Sequence, residues 1–398
     1  MSSFPLIPLG DIADLQAGIG FPVELQGRSS GEYPVAKVGD ISRVGRSGEA
    51  VIRTADHFVD EGDLARLRAK PIPAGSVLFA KIGEAIRQNH RVIAGCALLV
   101  DNNAMAAVPT KKVESRYLYH FLRTVDFYEL ATATTVPALR KSELKRLLIP
   151  LPSLPEQGRI ARILDKADAL RVKRRASIAQ LDTLGEFIYL DMFGDPRRDP
   201  IRWPFVPLER VVRDTKLGLV RGSQEVGPQF PFPYVRMNAI TRSGELQLAG
   251  VLFTHATNTE LANYRLEPED FLFNTRNSEE LVGKTALYRG GGVHLFNNNL
   301  MRIRFGPEVD PEFVAAAFKT KFIQHELDQR KSGTTNVFAI YYKDLRSVPL
   351  PLPPIELQRA FRRRIGAVEK LKAVQRGMRA ELDALFASLQ HRAFRGEL

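Results

Sequence analysis

Residues 150–193 recur at residues 351–394 in one register, at a constant offset of 201 and without a gap. Pro150-Leu151-Pro152 becomes Pro351-Leu352-Pro353. Gln157, Arg162, Leu170, Arg175, Ala179, Leu181, Asp182, Leu184 and Phe193 become Gln358, Arg363, Leu371, Arg376, Ala380, Leu382, Asp383, Leu385 and Phe394. The offset holds just upstream, where Val136, Ala138 and Leu144 fall on Val337, Ala339 and Leu345. Further back the match is patchier. Phe4-Pro5-Leu6-Ile7-Pro8-Leu9 resembles Trp203-Pro204-Phe205-Val206-Pro207-Leu208, Tyr33-Pro34-Val35 resembles Phe232-Pro233-Tyr234, and Ser76-Val77-Leu78-Phe79 resembles Asp270-Phe271-Leu272-Phe273. A period this long is duplication of a whole domain rather than a solenoid array. The chain is therefore expected to fold as domain, helix, domain, helix.

The repeated element reads as helix. Pro150-Leu151-Pro152 forces extended backbone, Ser153 with Glu156 forms a capping box, and Pro155 is tolerated in a first turn. Apolar residues then recur at spacings of three and four: Ile160, Ile163, Ala167, Leu170, Leu181, Leu184 and Ile188. In the second copy they are Phe361, Val368, Leu371, Met378, Leu382, Leu385 and Leu389. This is a heptad seam, broken at Arg174 and Ser177 in one copy and at Arg364 and Gln375 in the other. Gly194-Asp195-Pro196 ends the first helix. Each helix is about 60 Å long at ~1.5 Å per residue. A lone rod of that length would expose its seam, so antiparallel pairing of the two copies is expected, with approximate two-fold symmetry. The expected boundaries are 1–152 and 196–352 for the globular parts, and 153–195 and 353–398 for the helices. Both globular parts are strand-rich, with helical patterns near 115–130 and 311–329, so each reads as an α+β domain with a curved or barrel-like sheet.

Charge narrows the partner. A net charge of +12 and a pI near 9.8 point to a polyanion, with nucleic acid as the leading class. No run approaches the roughly 20 apolar residues of a membrane span, and residues 1–10 lack a secretory signature, so a cytoplasmic location without membrane contact is expected. The single cysteine, Cys96, excludes an internal disulfide and a multi-cysteine metal site, and its apolar setting predicts a buried core thiol.

Catalytic motifs are missing. There is no phosphate-binding G-x-x-x-x-G-K-[ST], no G-x-G-x-x-G after a strand, and no Asn/Asp-Pro-Pro-aromatic motif of amino-methyltransferases. Gly290-Gly291-Gly292 reads as a turn. Binding signals are loops that mix Arg or Lys with Asn or Gln, because Arg suits guanine and Asn or Gln suits adenine in the major groove. The candidates are Lys37, Arg43, Arg46, Arg87, Gln88, Asn89 and Arg91 in the first half. In the second half they are Arg221, Gln224, Arg236, Asn238, Arg276, Asn277 and Lys284. Thr335 and Asn336, at the place occupied by Thr134-Thr135 in the first copy, are either backbone-binding loop residues or a structural turn.

These residues resemble the DNA-specificity subunit of type I restriction–modification systems. The likeness lies in Ile149 to Asp165, in its degenerate copy Val348 to Ile365, in the closing Ala393-Phe394-Arg395-Gly396-Glu397-Leu398, and in the alternation of domain and helix. It implies an α+β chain with two target recognition domains, joined by two long antiparallel coiled-coil helices with pseudo-two-fold symmetry. Each domain would read one half of a split site in double-stranded DNA. The helices would act as ruler and dock two methyltransferase subunits, with a restriction/translocase subunit completing the complex. The residues expected to face the partners are Gln157, Ile160, Leu170, Leu181 and Leu184, with Gln358, Phe361, Leu371, Leu382 and Leu385. No cofactor is expected on this chain, S-adenosylmethionine belonging to the methyltransferase subunits, and no metal. Leu357 and Arg364 depart from the family pattern, so the two docking surfaces are expected to differ in detail. Two rivals are a chain that itself methylates or cleaves DNA, which the missing motifs oppose, and a coiled-coil scaffold without DNA specificity, which the basic loops oppose.

Overall fold

A computed structural model describes residues 4–132, 136–198, 202–334 and 337–398. It divides into two compact units, Met1–Ser177 with Gln375–Leu398, and Ile178–Val374. Each unit therefore owns one globular domain and a stretch of each long helix.

The first domain carries a five-stranded sheet. Ala13–Ala17 pairs with Ala104–Pro109, which pairs with Val77–Ala80, then Arg91–Ala94 and Val51–Ile52. A second sheet sets Tyr33–Ala36 between Phe58–Val59, antiparallel, and Leu99–Val100, parallel. The second domain repeats the plan. Val212–Leu217, Leu300–Phe305, Phe271–Asn274 and Thr285–Leu287 form one sheet in that order. Phe232–Val235 lies between antiparallel Leu252–Thr254 and parallel Leu295–Phe296 in the other. The three weak upstream sequence matches thus fall on equivalent strands. Buried apolar side chains on these strands, among them Leu15, Val77 and Phe79 or Phe271, Phe273 and Ile303, make each domain core.

One pair of glycines explains a shared close approach. A Cβ on Gly18 would sit 1.8 Å from the Asp101 carbonyl oxygen, and one on Gly218 would sit 2.2 Å from that of Phe296. Only glycine lets the chain cross there, and the amides bond onward in the same way, Gly18 to Ala104 and Gly218 to Leu300.

The repeated Pro-Leu-Pro is the closing strand of each domain. Leu148–Pro150 pairs antiparallel with Leu6–Pro8, and Pro349–Pro351 with Phe205–Pro207. The long helices follow at Leu154–Phe193 and Ile355–Arg395. Within the first unit they run antiparallel, tied by Arg171 Nε to Asp383 Oδ1 (2.6 Å) and by Arg174 to Gln375. Within the second, Lys372 Nζ meets Asp182 Oδ1 (2.6 Å) and Arg364 lies 3.8 Å from Asp191. Arg171 and Lys372 are repeat mates, as are Asp182 and Asp383, so both units make the same ion pair with the roles exchanged.

The seam is not packed as its pattern suggested. Ile160 and Leu164, with Phe386 and Phe394, join the first core, and Tyr189, Phe193, Phe361 and Ile365 join the second. Midway along, the expected seam leucines face solvent: Leu170 is 54% exposed, Leu371 47%, Leu184 41% and Leu385 52%. There the helices are held by ion pairs rather than by leucines. Cys96 is also placed differently from expectation. It lies half-exposed in a turn, with Sγ 3.4 Å from the Arg53 carbonyl, because the apolar run around it breaks between two strands.

Candidate nucleic-acid interface

A side chain can meet DNA only if its donors are free and exposed, and this condition sorts the sequence candidates. In the first domain, Arg91 fails it. It is buried, its guanidinium stacks on Phe127 (3.6 Å) and donates to the His90 carbonyl (2.9 Å) and to Asn89 Oδ1 (2.6 Å), and burial pulls its pKa below the usual arginine value. Asn89 is committed too. It adopts φ 53°, donates from Nδ2 to the Val125 carbonyl (3.0 Å) and accepts from Arg91, so both serve the core. Their adjacency to Arg87 and Gln88 in sequence concealed this. Lys37 donates to Gln26 Oε1 (2.7 Å), and Arg43 is neutralised by Asp40 and Asp56. Arg87 pairs with Glu84 (2.5 Å) and covers the Tyr128 ring. Arg46 and Gln88 are exposed and form no side-chain hydrogen bond or ion pair among the described residues. Arg46 stands near His90, where burial first and neighbouring arginines second lower the imidazole pKa.

In the second domain, Arg221 is nearly buried and bound to Glu260 (2.8 Å), and so is structural. Lys284 is half-buried and donates to the Met237 (3.1 Å) and Ile240 (2.5 Å) carbonyls. It braces the turn that carries Arg236 and Asn238 rather than reaching outward. Asn299 supports the same arrangement, its carbonyl accepting from Asn274 and Thr275 while its amide touches Met237 Sδ. The braced side chains are free: those of Arg236 and Asn238 are exposed, form no hydrogen bond or ion pair among the described residues, and line a shallow depression of about 140 Å³ with Gln247. Gln224 is likewise exposed and unbonded. Asn277 spends its amide on Asn274 Oδ1 (2.9 Å). Arg276 is exposed and leans over the Tyr341 ring (5.7 Å), donating weakly to its hydroxyl (3.4 Å), and Lys343 Nζ stands 6.0 Å from the same ring. Tyr341 and Lys343 escaped the sequence reading, which sought arginine beside asparagine. Their position directly after the repeated Ala339 was the available signal. Thr335 and Asn336 lie outside the described residues.

The helix candidates also divide. Gln157 and Gln358 are buried clamps. Gln157 Oε1 accepts from the Glu114 amide (2.8 Å) and its Nε2 donates to the Lys112 and Pro152 carbonyls. Gln358 does the same for Asp310 (2.8 Å), Glu308 and Pro353. Ile160 and Phe361 are buried in the domain cores. These four therefore fasten helix to domain and are closed to any partner, a correction to the sequence expectation. Leu181 and Leu382 are half-buried. Leu170, Leu184, Leu371 and Leu385 are open. Leu170 and Leu385 flank the Arg171–Asp383 ion pair, and Leu184 and Leu371 flank the Asp182–Lys372 pair.

Among the described residues no group of His, Cys, Asp or Glu is placed to hold a metal ion, and no helix is long and apolar enough to cross a membrane.

Comparison with known proteins points one way. Residues 1–181 match the family of the type I restriction modification DNA specificity domain. The specificity subunit of the type I restriction enzyme EcoKI from Escherichia coli K12 is 23% identical over 313 residues, covering 73% of this chain and 67% of that protein. A putative MjaX specificity subunit from Methanocaldococcus jannaschii is 25% identical over 312 residues, covering 72% and 69%. In fold, the chain resembles the crystal structure of a type I S subunit from M. genitalium, with a TM-score of 0.54 at 15% identity over 99% of this chain and 96% of that one. It also resembles a chain from a study of type I complex assembly, with a TM-score of 0.51 at 19% identity over the full length of both.

Proposed function

We propose that this chain, whose residues 1–181 match the type I restriction modification DNA specificity domain, is a specificity subunit in which each domain reads one half of a bipartite duplex site. The domains are assigned to residues 1–152 and 196–352. The helices of 153–195 and 353–398 set the gap between the half-sites and dock two methyltransferase subunits. The chain supplies specificity. Adenine methylation with S-adenosylmethionine belongs to the methyltransferase subunits, and cutting to a restriction/translocase subunit.

The observation that carries this reading is the pair of leucine positions kept apolar and exposed in both copies, Leu170 with Leu371 and Leu184 with Leu385. A single exposed leucine needs no explanation. Retention of the same two at equivalent places, each set flanking the same ion pair, fits two equivalent surfaces for two copies of one partner. Exposed Arg162 and Arg363, also repeat mates, would add attraction for an acidic partner face. For DNA, the residues with free donors are assigned to contact: Arg46 and Gln88 in the first domain, and Gln224, Arg236, Asn238 and Arg276 in the second. Lys37, Arg43, Arg87, Asn277 and Lys284 hold the loops that present them.

The test is a hybrid in which residues 203–345 are replaced by the equivalent domain of a relative, expressed with its partners, followed by sequencing the methylated motif of the host chromosome. One half of the motif should change and the other should stay. A hybrid that alters both halves would overturn two-module reading. Inserting one heptad near Lys173 to Ser177 should shift the domains by about 10 Å along the helix, roughly three base pairs, and lengthen only the gap. An unaltered gap in a soluble, active variant would remove the ruler.

A further inference from the structure

Both units place positive charge at one and the same topological position. In the first, Ile82 bridges Ala138 and the Leu139 amide donates to the Lys81 carbonyl (2.9 Å). In the second, Arg276 pairs with Ala339 and the Ile340 amide donates to the Thr275 carbonyl (3.0 Å). Ala138 with Ala339, and Leu139 with Ile340, are repeat mates. Immediately after this pairing come Arg140-Lys141 in the first copy and Tyr341-Tyr342-Lys343 in the second.

The side chains there are uncommitted. Arg140 and Lys141 are exposed and Lys81 half-exposed, and none forms a side-chain hydrogen bond or ion pair among the described residues. In the second unit Arg276 and Lys343 flank the exposed Tyr341 ring, and neither meets a carboxylate among the described residues. Three other arginines of that domain are neutralised, Arg221 by Glu260, Arg242 by Glu280 and Arg289 by Glu312, whereas Arg236 stays open at a separate turn. Charge is thus held open at this point.

What the two units share is charge, while the identities and offsets of the residues differ. Base reading needs a given side chain at a given place, because donors and acceptors must match a base edge. A phosphate needs only converging donors and positive charge. We propose that these clusters, Lys81 with Arg140 and Lys141, and Arg276 with Tyr341 and Lys343, are DNA-backbone clamps, one per domain, that position the duplex without reading it. The inference rests on the DNA-reading function above and moves Arg276 from base reading to backbone holding.

The test uses the full chain assembled with its methyltransferase partners. Binding to a duplex bearing the complex's own methylation motif, and to one lacking it, is measured from low to physiological salt. Each neutralised phosphate contributes about 0.9 to the slope of log affinity against log salt. The double variant Arg276→Ala/Lys343→Ala should make that slope shallower by about 1.8 on both duplexes, with the methylated motif unchanged. Arg140→Ala/Lys141→Ala should do the same. Tyr341→Phe should weaken binding to both duplexes and leave the slope alone. All five side chains are exposed, so unfolding temperatures should match the parent and folding loss would not mimic the effect. Unchanged slopes in both double variants, or a motif altered at one half-site, would overturn the clamps. A parent complex whose affinity is flat with salt would instead overturn the DNA-reading function itself.

Discussion

The two units fasten their long helices to their domains with different chemistry on one plan. In the first, edge-on contacts of Phe394 with Tyr117 (5.4 Å) and Phe121 (5.2 Å) are joined by a buried charge network. Asp165 accepts from buried His120 (2.9 Å) and meets Arg116 (3.1 Å), and Asp168 bridges Arg123 and Arg171 (both 2.7 Å), the latter reaching on to Asp383 and over the Phe386 ring. In the second a single helix cation, Arg362 with Asp310 (3.3 Å) and Glu269, sits beside a larger aromatic cluster. Tyr189 stacks on Phe313 (5.6 Å), and Phe193 and Phe361 close edge-on around them (4.8 to 5.8 Å). The repeat alignment shows the exchange: Tyr189 answers to Gln390, Phe361 to Ile160, and Asp165 to Gly366. The fold asks only that this surface be covered. An aromatic cluster does so through non-directional burial, whereas an ionic one needs each charge paired, and so it ties one unit to pH.

The sharpest way to break the contrast is to empty each junction. Phe361→Ala removes a buried ring touching two others and should destabilise the second unit by roughly 4 kcal/mol. Asp168→Asn strands Arg123, leaves Arg171 with Asp383 alone, and should cost the first unit roughly 3 kcal/mol. Hydrogen exchange resolved by segment reads both. Protection should fall in residues 205–350 for the first variant and in residues 4–150 for the second. Equal loss in both units from either variant would mean that the junctions do not act separately.

How much of this could be read from the chain follows from what a pattern encodes. The duplication, the two helices and the equivalent strands were legible because burial repeats with the period of the element. The heptad marks apolar positions but not what covers them, so Leu170 and Ile160 looked alike although one faces solvent and the other the core. Arg91 and Lys284 looked like DNA ligands because residue type does not report burial. The clamping role of Gln157 and Gln358 was hidden, since these partners lie 43 to 50 residues away in the Lys112–Glu114 and Glu308–Asp310 segments. Gly18 and Gly218 become interpretable only once two strands are seen to cross.

The ionic junction should also be the pH-sensitive one. Asp165 can only accept, so neutral His120 donates from Nε2, and its Nδ1 is buried without a partner. Burial lowers the His120 pKa despite the neighbouring carboxylate. Burial opposes ionisation of Asp165 and Asp168, yet His120 and Arg116, and Arg123 and Arg171, hold them below the usual carboxylate range. A histidine depressed in the folded state gives stability that is complete above its ordinary pKa near 6.5 and is lost as pH falls below it, by at most about 1.4 kcal/mol per pH unit. The two carboxylates add a second loss below about pH 4. Exchange protection of residues 115–122 and 154–170 should therefore weaken between pH 7 and 5, while residues 311–317 and 355–366, at a junction with no histidine ion pair among the described residues, hold theirs. His120→Gln should flatten the first dependence. If it persists, another group carries it.

The smallest expected effect sharpens the comparison where the units should agree. Leu170 and Leu385 in the first unit, and Leu184 and Leu371 in the second, are exposed, so replacing each pair by alanine should leave unfolding within about 0.5 kcal/mol of the parent. If each pair is the apolar centre of a docking surface, truncation should weaken one methyltransferase copy by about 1 kcal/mol or more per leucine and spare the other. Native mass spectrometry of the assembled complex would then show one partner retained and one lost for either double variant. The exposed apolar residues near the leucines differ between the units: Phe187 and Val374 belong to the second, and Met378 to the first. The second should therefore hold its partner longer as the complex is diluted. Because the helix positions are repeat mates, both variants are expected to stop at one partner. Loss of both copies from a single double variant would show that the leucines support one shared surface rather than two.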